Sequence, residues 1–180
     1  MINAIKSYKA APLMLFLLLL VIISGCTDKS PYITVEGKEP DHEVRITLAE
    51  IKKMDDALVE DDYFSINSYG TEEYFHFKGA WVWAILEEKT AIGAQDIDKI
   101  TFIADDGYTA EFTLEEIMRD DYIDQSNPQK KYKIILAWEE NHREYNPEEG
   151  SPFRLVIGQK EPGDINKPLW VSRVEKIRID

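Results

Sequence analysis

Short runs of β-branched and aromatic residues, separated by glycine or polar residues, predict a chain made mostly of strands. The runs cover 32–35, 44–46, 63–67, 74–78, 99–104, 108–112, 132–138, 153–157 and 171–179. Asp105-Asp106-Gly107 predicts a tight hairpin between two of these strands, because an Asp-Gly pair accepts the positive φ that the turn requires. The polar segment 120–130 is predicted to be an exposed loop.

Three segments have the pattern of short helices. Thr47-Leu48-Ala49-Glu50 and Thr113-Leu114-Glu115-Glu116 fit capping boxes, so each predicts a helix, the first reaching Met54. Gly79 is predicted to end the strand before it, and 80–88 follows as a third helix because its apolar positions share one face. The elements together predict an α+β fold, a strand-rich mixed-sheet domain with short helices, rather than repeated βαβ units.

The first residues of the chain follow a different pattern. Lys6 and Lys9 precede an apolar run over 10–23, which is short for a membrane span of ~20 residues and suits a signal peptide. The run ends in Ile23-Ser24-Gly25-Cys26, which resembles the lipobox of bacterial lipoproteins. The alternative is an uncleaved membrane anchor with an incidental cysteine.

The lipobox sets the expected organisation of the chain. We expect a signal peptide over 1–25, a lipidated tether over 26–31 and one domain over 32–180. Stable anchoring needs more than one acyl chain, which the lipoprotein pathway supplies on Cys26. The protein is therefore expected at the cell membrane, held by lipid on the extracytoplasmic side.

Charge and cysteine content narrow the classes of partner. The chain has 21 basic and 34 acidic residues, and a net charge of −13 repels nucleic acid. We therefore expect no nucleic-acid partner. Cys26 is the only cysteine, so the folded domain has no internal disulfide and offers no thiolate to a metal.

Sequence motifs for common chemistries are absent. There is no GxGxxG or Walker loop, and no HExxH, CxxC or GxSxG motif. His42, His76 and His142 are far apart in sequence, and their spacing predicts no metal site. Strand alternation predicts that His76, between Phe75 and Phe77, faces away from the core. We expect no metal ligands and interpret each histidine as a surface residue.

A series of motifs follows in a set order along the domain. They are Val35-Glu36-Gly37, ITLAEI at 46–51, FKGAWVWAIL at 77–86, ADDGY at 104–108 with FTLEE at 112–116, ILAWEEN at 135–141, GSPFRLV at 150–156, and Lys167 with Trp170. The ordered series resembles the molybdopterin-binding domain of the sulfite oxidase family. It covers nearly all of 32–180, so the resemblance implies that family's fold.

The resemblance implies a molybdopterin cofactor, but the residue that holds its metal is missing. Enzymes of the family bind molybdenum through a cysteine thiolate, and counting back from Gly79 places that position at Asn67 or Ser68. A neutral amide or hydroxyl is a poor replacement for a soft thiolate. The cofactor is therefore left open, with molybdopterin suggested by the resemblance alone.

The resemblance also suggests which residues line the cofactor cleft. They are Asn67, Ser68, Tyr69, Asp106, Tyr108, Asn141, Arg154 and Lys167. Arg154 suits a phosphate because its planar guanidinium donates two parallel hydrogen bonds; the alternative is a structural pair with an acidic residue. The family has glycine after the asparagine, where this chain has His142.

Three hypotheses for function follow. In the first, the domain is a non-catalytic module that binds a small heterocyclic ligand or a protein partner, tethered to the membrane by Cys26. The alternative is a molybdopterin-dependent oxidoreductase with an atypical metal site. In the third, the protein is purely structural and side chains fill the cleft. Enzymatic activity is undecided, and the missing thiolate favours a protein without it.

Overall fold

The computed structural model describes residues 30–39, 42–90 and 97–180. The predicted signal peptide over 1–25, Cys26 and the tether up to residue 29 lie outside the described residues. No helix among the described residues combines the length and the apolar character needed to cross a membrane.

Twelve strands and three α-helices are described, with three short 3₁₀ turns. The strands are β1 (Tyr32–Glu36), β2 (Glu43–Thr47), β3 (Leu58–Ile66), β4 (Glu72–Trp81), β5 (Ile100–Ala104), β6 (Thr109–Phe112), β7 (Tyr122–Ile123), β8 (Lys131–Tyr132), β9 (Ile135–Glu140), β10 (Arg143–Glu144), β11 (Arg154–Val156) and β12 (Val174–Ile179). The helices are α1 (Leu48–Ile51), α2 (Val82–Lys89) and α3 (Leu114–Met118), and the 3₁₀ turns are Asp55–Ala57, Pro147–Glu149 and Lys167–Leu169.

The strands form two larger sheets and one small one. The first sheet has the order β2-β1-β12-β5-β6, in which β1 and β12 are parallel and the other pairs antiparallel. The second has the order β10-β9-β4-β3, with β11 also paired to β9, and β7 pairs with β8. The predicted α+β fold with a mixed sheet and short helices is confirmed.

Alternation along the strands buries one set of side chains of the first sheet. Ile33 and Val35 of β1 are buried, and so are Ile100, Phe102 and Ala104 of β5, as their spacing predicts. The second sheet adds to the same core, and its central strand β9 is buried from residue 135 to residue 138. The core therefore joins both sheets into one domain.

Both predicted capping boxes are present. The hydroxyl oxygen of Thr47 accepts from the Glu50 amide and the Glu50 carboxylate accepts from the Thr47 amide; Thr113 and Glu116 repeat the arrangement. The first helix ends at Ile51, earlier than the sequence suggests. An isolated turn of helix adds little stability, so tertiary packing sets where α1 ends.

The prediction that Gly79 ends its strand is wrong. β4 continues through Gly79 to Trp81, and α2 begins at Val82. A Cβ atom at Gly79 would lie 2.6 Å from the Leu136 carbonyl oxygen and 2.7 Å from the Ala137 Cα. Glycine is needed here because β9 passes too close for any side chain.

The segment 120–130 is less exposed than its polarity suggests. Tyr122 lies in β7 and is fully buried, and Asp124 is also buried. The Asp124 carboxylate accepts hydrogen bonds from the Tyr74 hydroxyl and from the amides of Ser126 and Asn127, which compensates for its burial. One long-range and two local hydrogen bonds therefore allow Asp124 to be buried in a segment whose other polar residues are mostly exposed.

Candidate functional site

A buried asparagine holds the segment that carries Lys167. The Asn166 side chain donates from Nδ2 to the carbonyl oxygens of Phe64 and Ile157, both at 2.9 Å. Its Oδ1 accepts from the Ile66 amide at 2.9 Å. Because Asn166 is fully buried and bonded to β3, the following 3₁₀ turn begins at a set position.

Lys167 lies against aromatic rings rather than acidic groups. Its Nζ lies 3.5 Å from the centroid of the Phe75 ring and 4.3 Å from that of Trp170. Trp170 is buried, and its Nε1 donates to the Ile157 carbonyl oxygen at 2.8 Å. These contacts are cation–π interactions, which hold the ammonium without neutralising it.

The environment of Lys167 disfavours its positive charge. Burial lowers the pKa of Lys167, and the nearby positive charge of Arg154 lowers it further, which outweighs the opposite effect of the Glu73 and Glu140 carboxylates. Among residues 30–39, 42–90 and 97–180, no carboxylate forms an ion pair with its ammonium group. A half-buried cation without an anionic partner is therefore available to a ligand.

Arg154, the second cation, has partners within the domain. It lies on β11, where Nε and Nη2 donate to the Ser172 hydroxyl oxygen at 3.0 and 2.7 Å. Its Nη1 donates to Glu140 Oε2, which also accepts from the Tyr145 hydroxyl at 2.7 Å. Burial raises the pKa of that hydroxyl, so Tyr145 stays a neutral donor. The structural pairing considered for Arg154 is therefore present.

An open cavity of about 290 Å³ lies beside Arg154. It is lined by Tyr145, Asn146, Glu149, Ser151, Phe153, Arg154, Ser172 and Arg173. The Arg173 guanidinium is 2.9 Å from the Asp105 carboxylate and 3.6 Å from that of Asp106, so most of its charge is compensated. The cavity has the size of a small-molecule site and a mixed polar lining.

Three of the predicted cleft residues lie in the β3–β4 turn, and the first of them, Asn67, forms hydrogen bonds within that turn. The Asn67 Oδ1 accepts from the amides of Tyr69 and Thr71, both at 2.9 Å. Tyr69 is 95% exposed, and Ser68 is also exposed. None of these three makes a hydrogen bond or ring contact with Arg154 or Lys167 among the described residues.

Two predicted residues connect to Lys167 through the β5–β6 turn. The Asp106 Oδ1 accepts from the Tyr108 amide at 3.0 Å. The Tyr108 hydroxyl donates to the Pro168 carbonyl oxygen at 2.6 Å, next to Lys167. Tyr108 is half-exposed, so it lies at the edge of the Lys167 turn and is accessible from solvent.

Asn141, the remaining predicted residue, bonds to β4. Its side-chain Oδ1 accepts from the His76 backbone amide at 3.1 Å, and its backbone amide donates to the His76 carbonyl oxygen at 2.8 Å. It adopts a positive φ of 50°, which suits asparagine in a tight turn. The side-chain oxygen and the backbone amide of Asn141 therefore both have structural partners in β4.

Several residues of this site have no recognisable sequence signal. Asn166 acts through residues about a hundred positions away, and Glu140 joins Tyr145 and Arg154 only once their strands are paired. An asparagine before Lys-Pro has the sequence of an ordinary turn. No local signal distinguishes it from the buried amide that it is.

The side chains of the described residues do not offer the ligand atoms that a molybdenum centre needs. Soft thiolate is the ligand that such a centre requires, and Cys26 is the only cysteine of the chain. At the corresponding position, the Asn67 Oδ1 already accepts two backbone hydrogen bonds, and Ser68 offers only a hydroxyl. Of the two predicted cations, Lys167 alone forms no ion pair with a carboxylate of the described residues, so these residues fit an anion better than a metal-bound pterin.

Comparison with known proteins shows which solved structure shares the fold of this chain. No protein-family model matches the sequence, and no curated protein matches it. Among solved structures, the chain is similar to the sulfane dehydrogenase SoxCD from Paracoccus pantotrophus, with a TM-score of 0.59 and 15% sequence identity. The match covers 83% of this chain and 38% of that chain. Identity this low establishes a shared fold alone, and the chain has the fold of sulfite oxidase-like molybdopterin enzymes.

Proposed function

We propose that this chain is a membrane-anchored lipoprotein whose extracytoplasmic domain binds a small anionic heterocyclic ligand and catalyses no redox reaction. Lys167 is the observation that carries the proposal, because it is a half-buried cation with aromatic neighbours and no carboxylate partner among the described residues. Cys26 would carry the lipid. The fold shared with molybdopterin enzymes is consistent with a heterocyclic ligand.

The electrostatics of the site support an anion as the ligand. The chain has 34 acidic residues against 21 basic ones, yet no carboxylate of the described residues lies within ion-pair distance of the Lys167 ammonium group. Burying a cation without a partner costs free energy, and a bound anion would offset that cost. Lys167 would act as a point charge on a phosphate or carboxylate group, whereas the charge of Arg154 is compensated by Glu140.

The lack of a thiolate ligand supports the proposal that the protein catalyses no molybdenum-dependent reaction. The position of the family's cysteine is occupied by Asn67 or Ser68, and Asn67 is used in its own turn. Without a thiolate, the site lacks the ligand that holds and tunes the metal. If the protein made in a host that supplies the cofactor held molybdenum at one equivalent, the non-catalytic part of the proposal would be wrong.

Replacement of Lys167 by methionine is expected to weaken ligand binding by at least about tenfold, because a charged hydrogen bond contributes roughly 1.5–3 kcal/mol. Thermal shift and calorimetric titration of the full-length chain would measure this with phosphorylated and carboxylated pterins and related heterocycles. Methionine keeps a flexible apolar side chain against Phe75 and Trp170 and removes only the charge.

Lys38→Met is the matched control, since Lys38 is exposed and pairs with Asp98. It is expected to leave ligand affinity unchanged. The proposal fails if no anionic heterocycle stabilises the wild-type chain, or if Lys167→Met binds as tightly as wild type. Binding that needs a protein fraction instead of a small molecule would favour a protein partner.

The anchor makes a separate prediction. Mass spectrometry of the mature protein is expected to find diacylglycerol on the thiol of Cys26 as the first residue, with 1–25 removed. The Cys26→Ser variant is expected to lose the modification and to leave the membrane fraction, because the tether then has no acyl chain. An unmodified Cys26, or retention of Cys26→Ser in the membrane by residues 10–23, would show an uncleaved anchor instead.

A further inference from the structure

Two of the three histidines meet a glutamate on the second sheet. One ligand atom each from Glu60, His76 and His142 lies within 4.8 Å of the other two. Glu60 and His142 are exposed and His76 is half-buried, so the cluster opens to solvent. The three residues are far apart in sequence, and the strand order brings them together.

Strand register explains the meeting. β3 and β4 are antiparallel, with Asp62 opposite His76 and Glu60 two residues away on the same face. β9 lies on the other side of β4, and its hairpin with β10 turns at Asn141 and His142. The Asn141–His76 backbone hydrogen bond holds that turn beside His76, so the two imidazole centroids are 4.2 Å apart.

The hydrogen bonds of His76 leave one ring nitrogen facing an acid. Its Nδ1 is 2.8 Å from the Asp62 carboxylate, which can only accept, so Nδ1 carries a proton. Its Nε2 is 3.4 Å from Glu60 Oε1. In a neutral ring, the Nε2 lone pair would face a carboxylate, which is repulsive unless a positive species lies between them. That species is either a second proton or a metal ion.

His142 occupies a position where glycine would be the easier residue. Asn141 and His142 are the central residues of a two-residue hairpin loop, and their φ angles are 50° and 62°. The second position of such a loop favours glycine, and a side chain there costs roughly 1 kcal/mol. Histidine is one of the side chains that tolerate this conformation, and here its ring lies against that of His76.

We propose that Glu60, His76 and His142 form a Zn²⁺ site, with water as the fourth ligand. Two ligand atoms ~2.0–2.1 Å from a tetrahedral Zn²⁺ are ~3.4 Å apart, which is the separation of His76 Nε2 and Glu60 Oε1. Asp62 orients the imidazole through Nδ1, the arrangement that metal-bound histidines commonly have. The proposal is independent of the ligand site at Lys167.

One neighbouring cation limits how Glu60 can bind. Lys78 Nζ lies 3.0 Å from Glu60 Oε2, so only Oε1 is free for the ion. Glu60 would therefore be a monodentate ligand. The strongly negative charge of the chain favours accumulation of a divalent cation at this surface.

Zn²⁺ titration of the metal-free, full-length chain in detergent is expected to show one saturable site by calorimetry. Co²⁺ in place of Zn²⁺ is expected to give the visible absorption of a tetrahedral site. His142→Gly is the decisive variant, because glycine suits the loop better than histidine while removing a ligand. It is expected to weaken Zn²⁺ binding by at least about tenfold without loss of thermal stability.

His42→Gly is the matched control, because His42 is exposed and outside the cluster, with its Nε2 3.9 Å from a Glu39 carboxylate oxygen. It should bind Zn²⁺ as the wild type does, whereas Glu60→Gln should bind it more weakly. The inference is overturned if the wild type shows no saturable Zn²⁺ binding, in which case a proton alone lies between His76 and Glu60. Equal affinity in wild type and His142→Gly would also overturn it.

Discussion

Replacing Asn166 by aspartate is expected to lower the free energy of unfolding by about 3–5 kcal/mol. The new oxygen in place of Nδ2 would face the carbonyl oxygens of Phe64 and Ile157, which now accept at 2.9 Å. Both carbonyls would lose this donor, and a buried carboxylate would either carry a charge or bind a proton at a cost. Chemical denaturation followed by circular dichroism would measure the loss.

The expected loss of stability is large because the Asn166 side chain takes the place of a neighbouring strand at the edge of β3. β3 is the edge strand of its sheet, and Phe64 O and Ile66 N are the groups that a further strand would pair. The Asn166 side chain bonds to both, so a single amide completes the end of the edge strand. The same residue precedes Lys167, so the variant is also expected to bind the proposed anion more weakly.

Asn127→Asp is the control for this substitution. The Asn127 side chain is exposed, and its bond to Asp124 uses the backbone amide, which the substitution keeps, so the same chemical change is expected to alter stability by less than about 1 kcal/mol. A loss below about 1 kcal/mol in Asn166→Asp would contradict the argument, because it would mean that water replaces the lost donor.

Gly79→Ala is expected to destabilise the domain by about 2–4 kcal/mol. The added Cβ would lie 2.6 Å from the Leu136 carbonyl oxygen and 2.7 Å from the Ala137 Cα, both in the backbone of β9. Backbone atoms in the middle of a sheet cannot rotate away as a side chain can. The β4–β9 pair would have to separate, although its register shift beside Gly79 already accommodates a close approach.

Gly163→Ala separates this steric effect from backbone strain. Gly163 has a φ of 86° and nothing within 4 Å of a built Cβ atom, so its substitution costs only the conformational term of roughly 1 kcal/mol. Denaturant titration of both variants should rank Gly79→Ala as clearly the more destabilising. Equal losses would indicate that β9 moves easily and that Gly79 is not needed for close packing.

Much of the fold could be predicted because its signals are local. Both capping boxes, the Asp105–Gly107 hairpin and the buried side of β5 depend on residues only a few positions apart, and all are present. The prediction for Gly79 is wrong because a glycine in a strand pattern has the same local signature whether it ends the strand or lets a neighbouring strand approach closely. Only the position of β9 distinguishes the two.

The candidate site was less predictable, because its properties depend on contacts between distant segments. The amino-acid sequence shows that Cys26 is the only thiol and that the chain is strongly acidic, and its local patterns predict most of the strands and helices. Folding brings about the rest: Lys167 forms no ion pair with a carboxylate of the described residues, Asn166 completes β3, and His76 meets His142. Local propensity acts over one turn or one hairpin, whereas charge, burial and metal-ligand distances are set by strand order and register.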